Sequence, residues 1–352
     1  MKIREKHSIG VFFFYLILAY PVFYFSYKFG SPEISGQADY FAYYKLYKTL
    51  SIEGVDAPTN MRLISSFLVY LIYQSGFYYP VEIVFSDPAY DQAVYFSSVF
   101  VSFVSAAVTS TIIYNVVLSY SKNHMAGIIS GCLYFLQYGT VIWGSGGLAD
   151  GFSTMLFALL LYTYLKRSLT LFVCLLPLAV FQREIILMAF ATFFFLEFGL
   201  RLYEHVWAKR ALGLLVYTLG LFAIYVYLRE TVFFTPRYSG YTSSTFYQDL
   251  FDFSPASILK YLRGTILSQN LLWLYLGLIF YSLKKKIPFD KQWSFYIIGF
   301  FVVINVVCFL LKAPSEAGRY FYVTSPLLIC GLGLQGHQLL STNNEVSRSI
   351  TV

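Results

Sequence analysis

Asp39, Asp150, Arg183, Glu184, Glu316 and Arg319 stand out among the charged residues because each borders a long apolar run. Carboxylates and arginines so placed can share one task. An acid takes the proton of an attacking hydroxyl. An arginine fork matches the oxygens of a phosphate and keeps its charge in low dielectric. Apolar walls nearby hold a lipid tail. A lipid-phosphate sugar donor needs all three: a base for the acceptor, cations for the departing phosphate and a groove for the chain. Each residue also has a plainer role. Asp39 heads a short stretch whose aromatics, Tyr40, Tyr43, Tyr44 and Tyr47, recur at helical spacing, and its carboxylate suits a helix N-cap. Asp150, behind the glycine-rich turn Trp143-Gly144-Ser145-Gly146-Gly147, suits one equally. Arg183 and Glu184 can pair with each other, Arg319 can anchor at a membrane interface, and Glu316 reads as a solvated loop acid.

The elements that must position these residues are apolar. Of 352 residues, 58% are hydrophobic and 12% charged, the latter about half the soluble norm. Several charge-free runs reach the roughly 20 residues a helix needs to cross a bilayer. An all-α polytopic integral membrane protein is expected, one membrane domain over 1–352. The net charge of +7 then reads as orientation signal and not as a nucleic-acid footprint. Cys132, Cys174, Cys308 and Cys330 fall inside apolar runs without metal-type spacing and read as core thiols. The basic start, Met1–His7, precedes a run of full spanning length with no small-residue cleavage site, so no cleaved signal peptide is expected.

Taken in order, Ser8–Tyr27 is the first span, its start held in the cytoplasm by Lys2, Arg4 and Lys6. Residues 29–91 form a first extracytoplasmic loop with two surface helices, one headed by Asp39 and one running from Arg62 to about Gly76. Letting the second helix span would turn Lys284-Lys285-Lys286 outward, so it is read as lying on the surface. Further spans are expected at Gln92–Ser121, Met125–Ile142 and Gly151–Leu165. Ser168–Leu200 folds as a tight hairpin, broken at Gln182-Arg183-Glu184 with Arg183 and Glu184 at its outer tip, since a charge at mid-bilayer costs at least a few kcal/mol. Ala211–Leu228 leads to a second extracytoplasmic loop at 229–263. Gly264–Leu283, Gln292–Leu311 and Tyr320–Leu340 follow, with a short polar tail inside. The count is about ten spans. All six residues named at the outset then lie at outer span ends. The four histidines (His7, His124, His205, His337) lie at or near the opposite ends, which argues against a histidine zinc site with them.

The order of an acid with aromatics in the first outer loop, the Arg62 surface helix, a Gly-rich turn ending in Asp150, the Arg183 tip and Arg319-Tyr320 before the last span resembles the C-type (GT-C) glycosyltransferases. The likeness is to the branch of protein O-mannosyltransferases and lipid A aminoarabinose transferases. It covers Ser8 to about Phe195 and then the Arg319-Tyr320 region. The resemblance implies a GT-C-like fold in a bacterial inner membrane and an inverting transfer from a polyprenyl-phosphate sugar on the extracytoplasmic face. The acceptor would be a hydroxyl on a glycan, lipid or protein. It implies that Asp39 is the general base and that Asp150 is a second acid shaping the site. Asp39 and Asp150 are also the residues that would hold a divalent cation in members that use one. Arg183 and Arg319 would contact the donor phosphate, with Glu184, Tyr320 and Tyr43 in the same donor site. The chain departs from the pattern in having a single first-loop acid and in ending soon after the last span. Two other readings compete: a polysaccharide polymerase or lipid-linked sugar flippase, and a non-catalytic membrane scaffold. A flippase should carry charge along its spans, and a scaffold has no need of acids and arginines gathered at one face.

Overall fold

The helix around which the others gather is α4 (Gln92–Ser121), and its side chains explain why. Ser97, Ser98, Ser102, Ser105, Ala106 and Thr109 line its buried faces. Residues this small let neighbouring backbones approach closely, the packing available to helices in apolar surroundings. The hydroxyls turn back onto carbonyls one turn earlier: Ser97 Oγ donates to Ala93 O and Ser105 Oγ to Val101 O, both at 2.7 Å. Asp91 caps the start, its carboxylate accepting from Ala93 N at 2.9 Å, and Lys122 ends the helix in the left-handed conformation.

The computed structural model describes residues 2–29, 39–55, 59–78, 91–200, 204–233, 254–287, 289, 291–310 and 314–350, and among these every regular element is helical. Helix α1 (Lys2–Phe29) packs along α4. Helix α2 (Asp39–Thr49) and α3 (Leu63–Gln74) lie between them in sequence. After α4 come α5 (His124–Leu136), α6 (Asp150–Leu165), and α7 (Leu169–Leu175), which continues as a 3-10 segment over Leu176–Phe181. Then follow α8 (Glu184–Leu200), α9 (His205–Thr231), α10 (Pro255–Ser268), α11 (Asn270–Lys285), α12 (Lys291–Leu310) and α13 (Pro314–Ile350). Helix α13 runs beside α4, α5, α6, α10, α11 and α12 and closes the bundle.

Among the described residues, three helices are long and apolar enough to cross a membrane: Ser8–Lys28, Gln92–Ser121 and Val206–Thr231. Large apolar side chains face outward on several helices, among them Ile17 (74% exposed), Val206 (80%) and Phe280 (70%). Water would not tolerate that surface in a monomer. The apolar helices suggest a membrane protein.

Several elements differ from expectation. The third expected span, Met125–Ile142, is helical only to Leu136; Gln137 is extended and Thr140–Gly144 forms a π turn. Its cause is local: Thr140 Oγ1 donates to Tyr134 O at 2.6 Å and Gln137 Nε2 to Thr140 Oγ1 at 3.0 Å, which pulls the chain out of register. The expected Gly264–Leu283 span is two helices, broken at Gln269, whose amide is bound by Asn305 of α12 at 2.9 Å. The second loop, placed at 229–263, is helical to Thr231 and again from Pro255, while 234–253 lie outside the described residues. The supposed tail and the loop holding Glu316 belong to α13. Cys330 is buried and Cys132 half-buried, but Cys174 is exposed, so it is not a core thiol.

Helix α3 is short for a helix that crosses a membrane. Its 12 residues span about 18 Å at 1.5 Å per residue, well short of a hydrocarbon core of about 30 Å. Cysteines placed at Glu53 and Ser75, both exposed and on opposite sides of α3, in an otherwise cysteine-free protein should therefore react with an impermeant maleimide from the same side of sealed vesicles. Labelling from opposite sides would mean that α3 crosses.

Candidate functional site

The turn before α6 and the turn before α8 carry the residues that matter. Asp150 is the first residue of α6 and is wholly buried. It does not cap the helix: Ala149 is the N-cap, without a side-chain bond. Both carboxylate oxygens instead meet arginines. Oδ1 pairs with Arg183 Nη1, and Oδ2 accepts from Arg319 Nε at 2.8 Å. Arg183 is 2% exposed and Arg319 8%. Three residues separated by more than thirty positions in each step thus form one buried ion cluster.

Gln182 aims Arg183. Its Oε1 accepts from Ser65 N at 3.1 Å, satisfying a free N–H at the start of α3. Its Nε2 donates to Ala149 O at 3.1 Å and to Ser153 Oγ at 3.0 Å. One amide therefore ties α3 and α6 to the turn that carries Arg183. That turn joins the two helical arms of the expected hairpin, but Arg183 is buried there and pairs with Asp150. Glu184 opens α8, and the charges of Arg62 and Arg183 act on its carboxylate.

Arg62 completes the group. It precedes α3, is 7% exposed, and its guanidinium carbon lies 5.4 Å from the centre of the Tyr43 ring. Arg183, in the turn outside the apolar helices, is pulled below its ordinary pKa first by burial and then by the charges of Arg62 and Arg319. The Asp150 contact acts the other way, and an arginine stays charged at neutral pH. Arg183 Nε is buried and has no hydrogen-bond partner among the described residues. Three guanidiniums stand against the carboxylates of Asp150 and Glu184, an excess of positive charge in a buried site. Tyr320 of α13 is near enough to act on Arg183.

Helix α2 lies against this group. Tyr40, Tyr43, Leu46 and Tyr47 form its buried face, the spacing that the sequence showed. Tyr43 stacks on Tyr47 at 5.4 Å, and Tyr47 Oη donates to Gly147 O at 3.2 Å, three residues before Asp150. Gly147 has φ +73°, and a Cβ there would fall 2.4 Å from Ser98 Oγ on α4, so no other residue fits. Asp39 is the first residue of α2; its side chain, like that of Glu316, lies outside the described residues. Behind α2, Tyr40 meets Tyr95 edge-on at 5.2 Å and Tyr95 stacks on Tyr27 at 5.7 Å. Tyr27 borders an aromatic groove of about 260 Å³ between α1 and α4, lined also by Phe23, Phe77, Phe96, Phe100 and Phe103.

A divalent cation at Asp150 does not fit this geometry. Both oxygens are taken by guanidiniums, whose charge opposes a metal ion. No group of three or more His, Cys, Asp or Glu gathers as metal ligands among the described residues. His124 bonds Tyr114 Oη at 2.7 Å and His337 lies 3.5 Å from Asn123 Nδ2, both away from the arginines.

Sequence reasoning missed two residues. Arg62 was seen only as the start of a helix, and Gln182 only as a break in an apolar run. The signal for both was present: a polar residue flanking an apolar segment without a neighbour to pair with. Comparison with protein-family models, with curated proteins and with solved structures gives no match to this chain.

The buried cluster predicts a stability cycle. Asp150→Asn leaves two uncompensated buried guanidiniums and should cost about 3–5 kcal/mol, measured as a lower melting temperature in detergent. Arg319→Met should be costly alone and much less so in the Asp150→Asn background. Additive effects would mean that the two side chains do not interact.

Proposed function

We propose that the protein is a membrane glycosyltransferase that takes a sugar from a polyprenyl-phosphate carrier and passes it to a hydroxyl acceptor on the extracytoplasmic side of a bacterial inner membrane. The observation that carries this reading is the convergence of three arginines from distant segments, Arg183 and Arg319 on buried Asp150 and Arg62 beside Arg183 and Glu184. Fixed, buried cations are what a departing phosphate needs, because they stabilise its charge without reorganising. The unused Arg183 Nε is a donor suited to a phosphate oxygen. The aromatic groove beyond Tyr27 supports the lipid half of the donor.

In this reading each residue has its own role. Arg62, Arg183 and Arg319 hold the phosphate. Asp150 is a positioning residue: it sets the two guanidiniums and keeps them from repelling each other. Asp39, at the head of α2, takes the proton of the acceptor hydroxyl. The acceptor oxygen bonds to the anomeric carbon as the carbon–phosphate-oxygen bond breaks, and the bond electrons leave with the polyprenyl phosphate. Glu184 and Tyr320 border the same space, and Tyr43 supports Arg62. Ten spans with both ends cytoplasmic belong to this proposal, α3 lying on the surface and the short helix α5 being complemented by the turn that follows it.

Two substitutions test the assignment in proteoliposomes supplied with polyprenyl-phosphate sugars. Arg62→Ala should lower transfer by about tenfold or more, the worth of one hydrogen bond to a charged group, with Arg62→Lys recovering part of it. Asp39→Asn is close to isosteric but removes the base, so transfer should fall by a factor of about 100 to 10,000 with the melting temperature unchanged. An active Asp39→Asn protein would take the base role from Asp39. Full activity in Arg62→Ala would remove the arginines from the donor site.

A further inference from the structure

Helix α9 has no part in the phosphate contacts, yet one face of it reaches the arginine site. An inward stripe of this helix runs through Leu214, Thr218, Leu221 and Tyr225 to Phe233 just past its end, each at most 8% exposed. Their spacing of three or four residues keeps the first four on one face. Arg229 falls on the same stripe, between Tyr225 and Phe233, and is half-buried. Asn60 fixes where this end of α9 sits. It is buried, and its Nδ2 donates to Val55 O at 3.0 Å and to Phe233 O at 3.1 Å. Arg62 stands two residues further along the chain, so the end of α9 is tied to the segment that carries this arginine.

Tyr225 brings a hydroxyl to this place. Its Oη is buried and has no hydrogen-bond partner among the described residues, a costly state for a donor. Packing alone would be served as well by phenylalanine, without that cost. Glu184, Arg229, Arg62 and Tyr320 are all near enough to act on the hydroxyl, and Arg229 acts on the Glu184 carboxylate too. Glu184 and Tyr320 are half-buried, as Arg229 is, so all three keep part of their surface accessible beside the buried phenol. A carboxylate, a phenol hydroxyl, a guanidinium and a ring face suit a polyhydroxylated ring. They offer acceptors and donors to its hydroxyls and an apolar face to its C–H groups.

We infer that Tyr225 and Glu184 bind the sugar of the donor, the phenol donating to one ring hydroxyl and the carboxylate accepting from another, with Arg229 at the rim of the same space. The inference rests on the glycosyltransferase reading and adds to it the residues that recognise the sugar. Placement favours the donor sugar over the acceptor. Glu184 follows Arg183 directly in the chain, and a sugar esterified to a phosphate lies within one ring of it. A site built to bond a hydroxyl rejects an analogue that lacks it far more strongly than an apolar pocket can. These two residues therefore set which sugar is accepted.

Titration calorimetry of the full chain in detergent separates sugar from phosphate. The probes are the methyl ester of a short-chain prenyl phosphate and the glucose, mannose and galactose esters of the same lipid, all with one phosphodiester charge. At least one sugar ester should bind about tenfold more tightly than the methyl ester. Tyr225→Phe should lose about three- to tenfold of that preference and bind the methyl ester as the wild type does. Its melting temperature without ligand should not fall, because the lost hydroxyl has no partner to leave behind. Glu184→Gln, close to isosteric, removes a negative charge beside the phosphate. It should bind the methyl ester at least as tightly as the wild type and still lose most of the preference. No sugar ester preferred to the methyl ester, or a preference unchanged in Tyr225→Phe, would overturn the sugar site and leave the phosphate site standing. A lower melting temperature of ligand-free Tyr225→Phe would assign the hydroxyl to the fold and overturn its role in binding. A methyl ester that does not bind at all would bring down the glycosyltransferase reading, and this inference with it.

Discussion

A carboxylate buried between two guanidiniums costs several kcal/mol of lost hydration for each ion, and only tight geometry returns it. Asp150 with Arg183 and Arg319 has that geometry: both oxygens are used, one of them at 2.8 Å. Everything near the cluster is arranged so that the contacts can form. Gly147 lets the chain pass within reach of Ser98 on α4, Ala149 leaves the cap position without a competing side chain, and Gln182 pins the Arg183 turn to both α3 and α6. Gly318, next to Arg319, packs where a Cβ would meet Ser268 Cβ and Trp143 at 2.5 Å. Remove the charges and these close approaches have no purpose in packing; remove the close approaches and the charges are left unpaired.

The small-residue helix α4 is the other half of that constraint. About 61% of its most apolar window is buried, against 17% for α1 and 28% for α9. The outer helices therefore keep an exposed apolar surface, and α4 gives its surface to protein. Serines that satisfy their own hydroxyls make this possible without adding bulk. The same close packing fixes the distance from the aromatic groove to α2 and from α2 to the arginines, through the rings of Tyr27, Tyr95 and Tyr40.

Much of the framework was legible in the sequence because it rests on local pattern. Helix α4 has the bounds of its apolar run, and the aromatic spacing of α2 named its buried face. Arg183, Asp150 and Arg319 were recognisable as charges that border apolar runs and were placed at the same end of the spans. Their contacts were not legible, because a cap and an ion pair look alike at Asp150 until its distant partners are in place. Breaks in α5 and between α10 and α11 were missed for a related reason. Both depend on side chains, Thr140 in one and Asn305 in the other, that compete with the helix only after folding. Arg62 lacked any local sign of its partners, since Tyr43 and the Arg183 turn reach it from opposite directions in the chain.

In the proposed reaction the cluster is built before the donor arrives, so the arginines need no rearrangement when the phosphate departs. That claim is tested most directly by binding, without turnover. Titration calorimetry of the purified protein with a short-chain prenyl phosphate and with the matching prenyl alcohol compares the lipid with and without its anion. The phosphate should bind at least about 100-fold more tightly, the worth of two charge-assisted contacts. In Arg183→Gln the difference between phosphate and alcohol should shrink by about tenfold. Equal affinity for the two ligands in the wild type would contradict the account, because the arginines around Asp150 would then hold the fold together without holding a phosphate.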